Sequence, residues 1–209
     1  MLSRSNGLVL LAGVAMCSTW VPCARADGNP VVGQKKFYTC VGCHGIEDYK
    51  NAYPDYSVPR LRHQHAEYIV AALKEYKSGD RPHPTMHAQA SSLSDADIAD
   101  IAAYLQGGDP VKPTKSTAAV PAQAAPCTAC HGEAGTGVDA PISPKPPVLA
   151  GQHVDYLEQA LTTYHNGRRK NVVMGGMAAL LKTDEDIRIV ADYFASQPSP
   201  LATASPSSK

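Results

Sequence analysis

Two five-residue segments carry the residue types and spacing in this chain that could do chemistry. Cys40-Val41-Gly42-Cys43-His44 and Cys127-Thr128-Ala129-Cys130-His131 both read CxxCH. Such a segment places two thiols to add across the vinyl groups of one haem, with the next imidazole positioned to ligate its iron. A zinc ribbon separates its cysteine pairs by about 15–20 residues, whereas 83 residues lie between Cys43 and Cys127. A dithiol redox centre needs no histidine at the following position, yet both pairs carry one. The pattern predicts two c-type haems, covalently bound through Cys40, Cys43, Cys127 and Cys130, with His44 and His131 as proximal iron ligands.

An iron with one histidine takes a sixth ligand or stays open to small molecules. Beyond residue 26 the methionines are Met86, Met174 and Met177. Met86 follows a Pro-rich stretch in the first half. An offset of 88 residues carries it onto Met174, while Met177 would need 91. The expected metal ligands are therefore His44, Met86, His131 and Met174, each methionine in a short non-helical segment, with Met177 as the competing choice. Histidines remain as rivals: His83 and His87 flank Met86, and His63, His65, His153 and His165 lie in or near the middle helices. His/Met ligation raises the potential and closes the iron to substrates.

The elements that must position these groups recur. Setting Cys40 on Cys127 gives an offset of 87; at 88, Gln64-His65 falls on Gln152-His153, Tyr68 on Tyr156, Tyr76 on Tyr164 and Gly79 on Gly167. Tyr104 meets Tyr193 at 89. The repeat marks a tandem duplication. Tyr68, Ile69, Ala72, Leu73 and Tyr76, like Tyr156, Leu157, Ala160, Leu161 and Tyr164, follow a helical period. Gly79 and Gly167 are expected to stop those helices, and Ser94 and Thr183 to start the closing ones with Asp97 and Asp186 three residues on. The expected fold is all-α: domain 1 over residues 27–109, a Pro/Ala/Thr/Lys-rich linker over 110–126, domain 2 over 127–197 and a disordered tail over 198–209. Units this small draw little stability from protein packing alone, so each is expected to wrap around its haem.

Residues 1–26 read as a cleaved signal peptide, with Arg4, an apolar run from Leu8 to Val14 and Ala24-Arg25-Ala26 before Asp27. The apolar run is short for a membrane anchor, and Met16 before Cys17 argues against a lipoprotein. Cleavage discards Cys17 and Cys23, so every remaining cysteine belongs to a motif. A periplasmic location follows, since haem attachment needs thiols outside the cytoplasm. The whole chain carries 19 basic and 19 acidic side chains, which excludes a nucleic-acid footprint. Arg168-Arg169-Lys170 is a basic run that could guide an acidic partner to the second haem.

With motif, middle helix, methionine and closing helix in order, the chain resembles the dihaem cytochromes c of the cytochrome c4 type, which are two class I cytochrome c domains in tandem. The resemblance rests on Pro147-Val148-Leu149-Ala150-Gly151-Gln152-His153, Tyr156-Leu157, Met174-Gly175-Gly176-Met177 and the run from Asp184 to Gln197, and it spans residues 30–197. It implies that Pro59 and Pro147 offer their carbonyls to the proximal imidazoles. It also implies that a first helix with Gly33 and Phe37 crosses the Tyr104 helix. The second repeat departs from this pattern, with Pro121 and Pro126 where that helix would lie. The first departs where Arg62-His63 replaces Ala150-Gly151.

The expected function is electron transfer between respiratory partners, not catalysis. Partners of the expected kind are a quinol-oxidising complex, a dehydrogenase, a small copper protein or a terminal oxidase. The competing readings are a dihaem peroxidase-like enzyme and a fixed cytochrome subunit of a larger dehydrogenase or oxidase complex.

Overall fold

The computed structural model describes residues 28–52 and 55–204; the expected signal peptide and the final five residues lie outside them. Among the described residues the protein is helical, with nine α-helices and only isolated β-bridges, as an all-α fold requires.

In the first repeat, α1 (Pro30–Lys36) begins with a proline, whose missing N–H costs nothing there, and Asn29 caps it. A 3-10 turn leads into α2 (Val41–His44), the single turn that carries the first motif. α3 (Ala66–Ser78) buries Ile69, Ala72 and Tyr76 and ends at Gly79, whose φ of 87° is the left-handed stop that glycine takes without strain. α4 (Pro84–Ser91) follows, and α5 (Asp95–Gln106) starts behind a Ser94/Asp97 capping box. α1 crosses α5 at Gly33, where an added Cβ would lie 1.9 Å from the Asp100 carbonyl oxygen. Phe37 packs on Tyr104 at 5.5 Å. This is the helix pair that the resemblance implied.

The second repeat keeps the order from its motif onward: α6 (Thr128–His131), α7 (Val154–His165), α8 (Val172–Ala178) and α9 (Asp184–Ala195). α7 ends one residue sooner than its counterpart, capped by Asn166, with Gly167 left-handed just after. Thr183 and Asp186 form the matching capping box.

No α-helix precedes the second motif between residues 110 and 124, yet its place against α9 is filled. Ala124 is fully buried with Leu157, Ile187, Val190 and Phe194. The Tyr193 hydroxyl lies 2.8 Å from Ser116 Oγ, and Gln197 Oε1 accepts the Thr117 N–H at 3.1 Å. The connecting segment thus does by irregular packing what α1 does by helix crossing in domain 1.

Residues 198–204, expected to be disordered, are instead held in place. Leu201 is buried with Val148 and Ala150, Ala202 exchanges backbone hydrogen bonds with Arg62, and the Ala204 N–H donates to the His44 carbonyl oxygen at 2.9 Å. Leu201 and Ala204 are small apolar anchors inside a Pro/Ser-rich composition, and burial of both outweighs that composition locally.

Candidate functional site

α2 delivers His44 into the centre of domain 1. Its Nδ1–H donates to the Pro59 carbonyl oxygen at 3.2 Å, and the His131 Nδ1–H donates to that of Pro147 at 3.0 Å. Burial holds the His44 imidazole down to about 4, against the opposing pull of the Pro59 carbonyl, and burial lowers His131 in the same way. Both rings are therefore neutral near pH 7 with the Nδ1 proton committed. What remains free is the Nε2 lone pair, the group a metal needs.

The wall around His44 fits a haem. A cleft of about 1220 Å³, counted out to its open mouth, is lined by Cys40 and Cys43, by apolar side chains such as Phe37, Ile69, Leu73 and Leu105, and by Met86. All four motif thiols are free of disulfides, and burial pushes Cys40 and Cys127 up, so that they stay protonated. His44 and Met86 thus share one apolar cavity with two thiols at its edge.

Met86 does not sit in a non-helical segment as expected. It is the third residue of α4, after a His83 cap whose Nδ1 accepts the Met86 N–H at 3.3 Å. Met174 occupies the same place in α8, where Asn171 Oδ1 accepts its N–H at 3.0 Å. Pro84 at the first helical position and the two caps explain why such short segments turn helical. Met174 and Met177 are both partly buried, but only Met174 has the cap-relative position of Met86.

Several of the rival histidines are oriented through Nδ1, as His44 and His131 are, so these bonds fix the rings without occupying Nε2. His83 is the α4 cap; His87 Nδ1 donates to the Tyr76 carbonyl at 2.8 Å and His165 Nδ1 to that of Ala178 at 3.0 Å. His63 takes φ 63° where Gly151 takes 60°, so the Arg62-His63 departure keeps the left-handed turn of its repeat partner.

The two cofactor regions meet across a pseudo-symmetric interface outside both CxxCH motifs. Gln64 donates to the Val148 carbonyl at 3.0 Å and accepts its N–H at 2.8 Å. One repeat on, Gln152 makes the same pair of bonds with Arg60, at 3.0 and 2.9 Å. Each buried glutamine therefore clamps the other domain's backbone just after the proline that holds the proximal histidine. Asp155 Oδ2 adds bonds from the Ser57 N–H and hydroxyl, both at 3.0 Å, and a Lys50 ion pair at 2.9 Å.

Arg169, the middle of the expected basic docking run, is not on the surface. It is buried to 6% exposure, as is Arg81, its partner at offset 88. Arg81 reaches Tyr156 Oη in the other domain at 2.5 Å, and Arg169 reaches Tyr68 Oη at 3.3 Å. Arg168 remains exposed, while Lys170 pairs with Asp80 at 3.1 Å. The offset that pairs the methionines and the two glutamines also pairs Arg81 with Arg169, and it is the signal in the sequence that points to these arginines.

The family model described as Cytochrome c matches the chain twice, over residues 31–109 and 121–198. Among curated relatives, the "Thiosulfate dehydrogenase electron acceptor" of Stutzerimonas stutzeri (strain A1501) is 32% identical, covering 88% of this chain and 93% of the relative. Cytochrome c4 of Pseudomonas aeruginosa is 31% identical, covering 82% and 90%. The crystal structure of reduced recombinant cytochrome c4 from Pseudomonas stutzeri superposes with a TM-score of 0.64 at 28% identity, covering 82% of this chain and 100% of that one. Tandem domains, two CxxCH sites and these likenesses agree: the chain belongs to the cytochrome c family, as a dihaem electron-transfer cytochrome of the c4 type with two covalently bound haems.

Proposed function

We propose that the protein is an exported, periplasmic electron carrier and not a catalyst, with His44 and Met86 ligating the iron of domain 1 and His131 and Met174 that of domain 2. When bound, each haem supplies a centre that takes up and releases one electron. The chain does the rest. The Pro59 and Pro147 carbonyls fix the imidazoles and enhance their basicity. The capped starts of α4 and α8 hold the two thioethers. The apolar wall excludes water, and the glutamine clamps keep the two centres in one fixed relation.

The observation that carries this reading is the sharing of one cavity by His44 and Met86, with Met174 repeating the position of Met86 relative to its cap. With a histidine and a methionine both engaged when a haem is bound, no position would be left for peroxide, which disfavours the peroxidase-like reading.

The donor we propose is a periplasmic dehydrogenase of an inorganic sulfur compound, in line with the name of the Stutzerimonas relative, and the acceptor a terminal oxidase or small copper protein. The test is stopped-flow mixing of the ferric protein with thiosulfate alone and with thiosulfate plus a thiosulfate dehydrogenase. Reduction only when the enzyme is present supports a carrier. Reduction or peroxide turnover by the cytochrome alone contradicts it.

A further inference from the structure

Arg81 and Arg169 form a buried cluster with no carboxylate ion pair among the described residues. Arg81 donates to Tyr68 Oη at 3.2 Å and to Tyr156 Oη at 2.5 Å, while Arg169 donates to Tyr68 Oη. Each guanidinium also stacks on an aromatic ring of its own domain, Arg81 on Tyr76 at 4.4 Å and Arg169 on Tyr164 at 4.3 Å. Neither joins an ion pair among the described residues, and Arg169 Nε has no hydrogen-bond partner.

Burying two like charges without a counter-charge costs several kcal/mol per ion (roughly). The phenols offset it only in part: both guanidiniums draw Tyr68 down against its burial, toward a phenolate whose single negative charge faces two positive ones, whereas burial pushes Tyr156 up and keeps it neutral. The cluster is short of negative charge, and a haem brings two carboxylates.

Arg81 borders the domain 1 centre, and the 88-residue offset gives Arg169 the equivalent place in the second repeat. Arg81, Tyr68 and, from the other domain, Tyr156 line the cavity that holds His44 and Met86. A second, smaller gap between the domains is lined by Arg81, Arg169, Tyr76, His83 and Tyr156.

We propose that Arg81 and Arg169 are one shared cationic bridge for the carboxylates of both haems, so that each arginine sets the reduction potential of the haem in the opposite domain as well as its own. Uptake of one electron at either site removes one unit of positive charge there, with no bond made or broken. A nearby fixed cation favours that reduced state, and in a dry interface its field reaches both sites.

The test is a redox titration of the intact holoprotein followed by paramagnetic NMR, which reports each ferric haem through its own shifted resonances, for Arg169→Gln, Arg81→Gln and the charge-keeping lysine variants. Intact mass, checked first, establishes that both haems are attached, so a failure of the dihaem reading is seen apart from a failure of this one. Each glutamine variant is expected to weaken reduction of both haems about tenfold, which is about 59 mV for one electron. Each lysine variant is expected to keep both equilibria within about threefold of the parent.

A glutamine variant that moves one haem only overturns the shared bridge. Equal shifts for glutamine and lysine overturn a charge role in favour of packing. Should a glutamine variant not load both haems, the lysine variants decide: retained loading and potentials support the bridge, and their loss contradicts it.

Discussion

Asn171 Oδ1 accepts the backbone N–H of Met174 at 3.0 Å and so fixes that methionine as the third residue of α8. His83 does the same for Met86 in α4. Met177, one helical turn further on, has no such anchor. Met174→Ala is expected to remove about half of the far-red band of ferric iron–methionine bonds, and Met177→Ala to leave it intact. Loss of the band in Met177→Ala alone would assign the ligand to that residue instead.

The interdomain clamps are expected to show in stability. Gln152→Leu strands the Arg60 N–H and carbonyl, and Gln64→Leu strands those of Val148. Each change is expected to cost about 2 kcal/mol in chemical denaturation. A change below about 0.5 kcal/mol would mean that water replaces the clamp without cost.

Gly33→Ala would drive a methyl group into the Asp100 carbonyl and force α1 off α5. A destabilisation of about 3 kcal/mol is expected, with the spectrum of the second haem unchanged because nothing in domain 2 rests on that crossing. Equal perturbation of both haems would refute such independence.

Acid is expected to loosen the interface through Asp155. Burial alone would raise its carboxyl, but Lys50 and Ser57 hold it below the ordinary value. The folded form thus binds its proton less readily than the unfolded form. That contribution is fully present above the unfolded value of about 3.9 and is lost as pH falls below it. Urea stability measured from pH 5 to pH 3 should fall more steeply for the parent than for Asp155→Asn; parallel curves would remove Asp155 from the account.

Much of this architecture could be read from spacing. Thiol and imidazole positions follow from covalent chemistry, and capping boxes such as Ser94/Asp97 are local in sequence. Where the structure differed, the methionine segments did so for a local reason and the other segments because long-range packing decided. Met86 and Met174 are helical because side-chain caps and Pro84 start short helices that carry no amphipathic period. Leu201 and Ala204 look like tail residues until domain 2 offers the first, and domain 1 the second, a buried site. Arg169 looks like a surface cation inside a basic run, and only its partner Arg81 at the same offset marks it as interior. Ala124 substitutes for a helix, something no periodicity signals.

Two separate one-electron centres with histidine and methionine ligands in one chain set a fixed electron count. A stoichiometric reductive titration of the intact ferric protein, with the far-red band recorded at each addition, tests it most directly. Two electrons per chain are expected, with complete loss of the band as the second enters. Uptake of a single electron, or a ferric protein with no such band, would contradict it.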